Sequence, residues 1–138
     1  MDEKISARGQ RDRNVKLGAG GIREIELVAQ SLQAAHGMSI PALLERNTLR
    51  ALAKLKDRAL IAAEEYDVLH QAYLFLRDVE NKLQMADDAQ THSLPQELEG
   101  IRTCARLLGY AAAEPFLDNY RSHTSQVSRV FEKFVGRQ

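Results

Sequence analysis

Apolar residues recur at three- and four-residue spacing along most of the chain. Ile22, Ile25, Ala29, Leu32 and His36 share one face, with Val28 beside them. That spacing predicts a helix over residues 22–36 that stops at Gly37. A second stripe on the same helix is polar: Arg23, Glu26, Gln30 and Gln33. Leu27 falls on a third side. A helix with apolar residues on more than one side is packed by several neighbours. This one is expected at the centre of its domain, or half covered by a domain beyond this chain. Ile40 to Leu44 reads as a short connector or one helical turn. Asn47 or Thr48 caps a second helix that carries Leu49, Leu52 and Leu55 and fades near Asp57. Ala59, Leu60 and Ile61 read as a buried apolar bend.

The third helix is the longest, from about Ala63 to Ala86. Leu69, Ala72, Tyr73, Leu76, Val79, Leu83 and Ala86 alternate at three and four, the spacing of a bundle helix. Residues 87–94 form a loop, and Ser93 with Gln96 could make a capping box around Pro95. A fourth helix follows through Leu98, Ile101, Ala105 and Leu108 to Gly109. A fifth starts near Glu114 and Pro115. Its seam is Phe116, Tyr120, His123, Val127, Val130 or Phe131, and Phe134, and Gly136 ends it. The only extended stretch expected is Val15 to Leu17. These elements predict an all-α antiparallel bundle of about five helices. Residues 22–138 form the bundle, and residues 1–21 a lead-in segment with a Gly-rich turn. Within that lead-in, Asp2 to Ala7 reads as the last turns of a helix begun upstream, with Gly9 after its end, or as a frayed terminus.

Composition narrows the function. With 138 residues the chain can bury a core without staples. Lys plus Arg and Asp plus Glu are 19 each, so no bulk positive charge draws it to nucleic acid. A single cysteine, Cys104, excludes an internal disulfide and a cysteine-based zinc site. The four histidines are scattered, with no i, i+4 pair, so no metal site is expected. No apolar run nears the roughly 18 residues that span a bilayer. The start of the chain has no signal-peptide core, and a cytoplasmic location is expected.

The stretch with the most chemical potential is Asn14 to Gln30. Gly18, Gly20 and Gly21 precede the first helix, and a helix start fed by a Gly-rich turn can present free N–H groups to an anion. No Gly-Lys-Ser/Thr follows, so this is not a Walker A loop, and the spacing is not a dinucleotide fingerprint. Lys16 and Arg23 flank the turn, where they could hold a nucleotide phosphate or act as ordinary surface charges. Glu24 and Glu26 lie roughly 200° apart on a helix and cannot form a paired-carboxylate site with each other. On the third helix Tyr73, Arg77, Glu80 and Gln84 make a polar line. Glu80 falls within the apolar arc and must be paired. Arg77 is the local candidate and Arg23 the distant one. The line could face a neighbouring domain or fix helix register. His92 and His123 are expected as loop and core-edge residues rather than catalytic groups.

Lys16-Leu-Gly-Ala-Gly-Gly-Ile-Arg-Glu-Ile-Glu26 resembles the segment that leaves the nucleotidyltransferase domain in glutamine synthetase adenylyltransferases. It is similar, more loosely, to that of the PII uridylyltransferases. Three later stretches agree in order: residues 47–52, residues 73–80 with Leu83 and Gln84, and residues 90–95. The resemblance implies a helical domain that follows the first, adenylyl-removing, nucleotidyltransferase half. It implies a nucleotide or domain-interface role for Lys16, Gly18, Gly20, Gly21, Arg23 and Glu26. It also implies Mg²⁺ and ATP or ADP in the parent enzyme, with glutamine synthetase, the PII signal protein and glutamine as partner or effector. In that family the metal-holding carboxylates come from a Gly-Ser motif and an Asp-x-Asp motif on a mixed sheet, and neither motif occurs here. The chain alone is therefore expected to be inactive, with no catalytic residue and no cofactor of its own. The alternatives are a helical domain of a PII uridylyltransferase-like enzyme, or a helical adaptor without a nucleotide role.

Overall fold

The computed structural model describes residues 13–87 and 92–136. The expected helix end over Asp2 to Ala7, and most of the loop after the third helix, lie outside them. The chain runs through α1 (Ile22–His36), a 3-10 turn (Pro41–Leu43), α2 (Thr48–Asp57), α3 (Ala63–Asp87), α4 (Leu98–Leu107) and α5 (Ala113–Phe134). The fold is all-α.

Each helix forms where its sequence offers both a stripe and an end. α1 buries Ile22, Ile25, Val28 and Ala29, and it packs against α2, α3 and α5, which gives it the central place its multi-sided pattern requires. The Gln33 amide on its polar stripe donates to Leu43 O at 2.7 Å and Glu45 O at 2.8 Å, so the 3-10 turn folds back onto α1. Asn47 caps α2 by accepting from Arg50 N at 3.0 Å. α2 ends with Ala59 in the left-handed region at φ 59°. There Leu60 N–H donates to Leu55 O and Ala59 N–H to Lys56 O, both at 2.9 Å. Glycine normally holds that position. Ile61 is buried, whereas Ala59 is exposed and Leu60 half-buried, so only part of the expected bend enters the core.

α3 starts with Glu65 accepting from Ala62 N–H at 2.8 Å and pairing with Lys133 of α5. Leu69, Ala72, Leu76, Val79 and Leu83 then line the core, and Tyr73 lies at its edge. α5 contributes Phe116, Tyr120, Val127, Val130 and Phe131, so both residues offered as alternatives for its seam are buried. His123 is half-buried and stacks on Phe75, with centroids 4.6 Å apart. Burial holds its imidazole below the usual range. Cys104 is buried on the inner face of α4, where burial and then Asp78 push its thiol up to about 11.

Two expectations are corrected. Ser93 is not the N-cap of α4: Glu97 holds that position, and its side chain makes no capping hydrogen bond. The reason is long-range pairing. Residues 92–94 lie antiparallel to the lead-in, with a bridge between Asn14 and Ser93. Pro95 instead packs over the first turn of α4, where a Cβ on Gly100 would lie 2.6 Å from the proline Cβ. The second correction concerns the extended stretch expected at Val15 to Leu17. Those residues form a turn, and the only bridge residue there is Asn14.

Candidate functional site

The Gly-rich turn is fixed from both sides. Asn14 Oδ1 accepts from Lys16 N–H at 3.1 Å and Leu17 N–H at 2.8 Å, an arrangement that asparagine side chains favour in turns. Val15 N–H donates to His92 O at 2.7 Å, and Leu94 N–H to Arg13 O at 2.8 Å. Val15 itself is fully buried and joins the core. On the other side, Ile22 N–H donates to Val15 O at 3.0 Å and Arg23 N–H to Lys16 O at 2.8 Å. Gly20 N–H donates to the Glu24 carboxylate at 2.7 Å. These N–H groups at the start of α1 are thus met by the chain's own oxygens.

The glycines serve close approach. Gly20 lies at φ 73°, and a Cβ there would sit 2.0 Å from Thr124 O on α5. A Cβ on Gly21 would sit 2.6 Å from Val15 O and 2.9 Å from Gly18 O. What faces outward is a patch of side chains. Leu17 is 61% exposed. Arg23 is exposed too, with its guanidinium 3.6 Å from Glu26 on the same helix, a pair too long and too open to immobilise it. Lys16 is half-buried beside them.

The polar line on α3 is a second cluster. Glu80 is only 8% exposed. Its Oε1 accepts from Arg77 Nη1 at 3.1 Å, and the Arg77 guanidinium lies 5.5 Å from the Tyr73 ring centroid. Its Oε2 lies 2.8 Å from His92 Nδ1, which must carry its proton to donate to a carboxylate. The local partner is therefore the expected one, Arg77. The distant partner is His92, while Arg23 turns to Glu26. Gln84 is half-buried one turn further on, with no hydrogen bond to the other three among the described residues. The two clusters are joined, because the residue whose ring meets Glu80 is the residue whose carbonyl meets Val15. Among the described residues no group of three or more His, Cys, Asp or Glu could hold a metal ion. No helix among them is long and apolar enough to cross a membrane.

Compared with known families, residues 1–135 match the model described as GlnD PII-uridylyltransferase. The chain belongs to that family. Among curated proteins, this GlnD PII-uridylyltransferase-family chain is similar to bifunctional glutamine synthetase adenylyltransferase/adenylyl-removing enzymes. That of Neisseria meningitidis serogroup A / serotype 4A is 37% identical over 135 residues, which is 98% of this chain and 15% of the relative. That of Mesorhizobium japonicum is 44% identical over 116 residues, 84% of this chain and 12% of the relative. That of Brucella melitensis biotype 1 is 42% identical over 133 residues, 94% and 13% respectively. The family chain thus spans between 12 and 15% of the length of these relatives.

Proposed function

We propose that this chain is the helical domain that follows a nucleotidyltransferase domain in a bifunctional glutamine synthetase adenylyltransferase/adenylyl-removing enzyme. Its role is to carry and position that neighbour. The observation that supports this reading most is the glycine turn. Its backbone is hydrogen-bonded to the bundle on both sides, while Leu17, Lys16 and Arg23 point outward from it. An exposed leucine between two cations, on a rigid backbone, suits a docking patch better than a flexible linker. Lys16, Arg23 and Glu26 then act at the domain interface, and Gly18, Gly20 and Gly21 shape the turn that presents them. Tyr73, Arg77, Glu80 and Gln84 keep α3 in register beneath the segment 92–94 that holds the turn. On this reading the parent enzyme supplies the Mg²⁺ and ATP or ADP chemistry in the cytoplasm and acts on glutamine synthetase. PII protein and glutamine are its regulators.

The description of the matching family favours a second reading, the corresponding domain of a PII uridylyltransferase. Both readings give the turn the same role. The test is a pair of substitutions, Arg23→Ala and Leu17→Asp, made in the parent enzyme and in the 138-residue chain. AMP transfer to glutamine synthetase and its removal should fall about tenfold or more in the parent. The melting temperature of the chain should stay within a few degrees, because exposed positions move stability by about 0.5 kcal/mol or less. Normal activity with a destabilised chain would make these residues purely structural. Transfer of UMP to PII instead of AMP to glutamine synthetase would select the second reading.

A further inference from the structure

A groove of about 830 Å³ runs between the glycine turn and α5. Its lining holds three arginines, Arg13, Arg121 and Arg129, and no carboxylate among the described residues. In a chain with equal numbers of acidic and basic residues, this is a local separation of charge. The arginines have donors to spare. Arg13 uses Nε to donate to Leu94 O at 3.2 Å, which fixes the plane of its guanidinium and leaves both Nη groups without a partner among the described residues. Arg129 makes no hydrogen bond or ion pair among them. Arg121 lies 3.8 Å from Asp118, but the two side chains are 70% and 78% exposed, and such a pair is worth little.

Helical spacing adds hydroxyls. Arg121, Ser125, Ser128 and Arg129 fall at i, i+4, i+7 and i+8, which sets two serines between two guanidiniums on one face of α5. Ala19, Leu94, Leu117 and the Tyr120 ring add apolar surface to the lining. Among the described residues the lining is thus rich in charged donors and holds no carboxylate, and the groove is within the size range of small-molecule sites. Guanidinium forks match phosphate oxygens two at a time. Three forks around one groove suit a ligand whose anionic oxygens are crowded together, rather than the spaced carboxylates of an acidic peptide.

We infer that this groove binds a small oligophosphate-bearing ligand, free or as part of a nucleotide. The test is amide NMR of the isotopically labelled 138-residue chain, titrated with tripolyphosphate, ATP and a Glu-rich peptide in separate arms at about 0.1 M salt. Saturable shifts should centre on Ala19, Thr124, Ser125 and Ser128. Affinity should fall about tenfold in Arg129→Gln, since the charge-assisted hydrogen bonds of one guanidinium are lost. It should fall further in Arg121→Gln/Arg129→Gln. Both positions are exposed, and retained spectral dispersion verifies the fold. ATP tighter than tripolyphosphate assigns the apolar part of the lining to a base, and equal affinities assign the site to the phosphate chain alone. Non-saturable shifts, shifts spread over every basic side chain, affinity unchanged in the double variant, or tighter binding of the peptide each overturn the inference.

Discussion

Glu80 shows how a long helix keeps a carboxylate on its apolar face. Each of its oxygens has one partner, and the two partners come from different distances along the chain. Arg77 is legible in the sequence, because a residue three positions back on a helix is a spatial neighbour. His92 is not legible, because it follows a loop, and no periodic rule reaches across a loop. Its ring is 34% exposed against 51% for Arg77, so the His92 bond is the less screened of the two. In double-mutant cycles read by urea unfolding at pH 7, Glu80→Gln should couple to His92→Ala by about 1 kcal/mol or more. Its coupling to Arg77→Met should stay below about 1 kcal/mol. The reverse order would mean that Arg77, not His92, holds the carboxylate. His123 gives a pH dependence. Its folded value is depressed by burial, so near pH 6 the unfolded chain binds more protons than the folded chain. Its contribution is therefore complete above the unfolded imidazole value of about 6.5 and is lost as pH falls from there through the folded value. His123→Phe keeps the stack on Phe75 and removes the titration. Between pH 7.5 and 5.5 it should lose less unfolding free energy than the parent chain; an equal loss places the acid sensitivity elsewhere.

At the scale of elements, the helix ends were mostly written locally. Asn47 caps α2, and Gly37 and Gly109 follow α1 and α4 as the sequence pattern requires. The failures share a cause. Ser93 has the composition of a cap, but its backbone neighbours are taken by the lead-in, and only the folded chain brings those segments together. Ala59 carries no cap signal, yet it closes α2 in the conformation that glycine adopts. Two left-handed positions, Ala59 and Gly20, predict opposite outcomes. Ala59→Gly relieves backbone strain at an exposed site, and should raise stability by up to about 1 kcal/mol after the unfolded-state cost of glycine. Gly20→Ala adds the same strain and drives a methyl into the backbone of α5. It should cost about 3 kcal/mol or more, combining left-handed strain with overpacking. Thermal unfolding of the two variants side by side checks both signs. A tolerated Gly20→Ala would mean that the glycine turn and α5 can separate without loss.

For the whole molecule, periodicity was enough to give the class of fold, the five helices among the described residues and, as one of two alternatives, the central position of α1. What it left open was how the lead-in joins the bundle, because Val15 looks like one more residue of a linker until its burial is seen. The chain has a continuous core but neither of the two motifs that supply metal-holding carboxylates in the enzymes it resembles. Purified alone, it should unfold cooperatively yet neither add AMP to glutamine synthetase with ATP and Mg²⁺ nor release it with phosphate. Turnover by the clean chain would place catalytic groups in the bundle. The lead-in has a mechanical consequence as well. From Arg13 to Arg23 the backbone is tied to residues 92–94, to the first turn of α1 and, through Gly20, against α5. This attachment has no slack. A pull arriving at Arg13 loads the bridge to residues 92–94 in shear, and a twist there turns α1 and α5 together. We therefore expect load arriving at this point to pass into the bundle, with the glycine turn as its crank rather than its hinge.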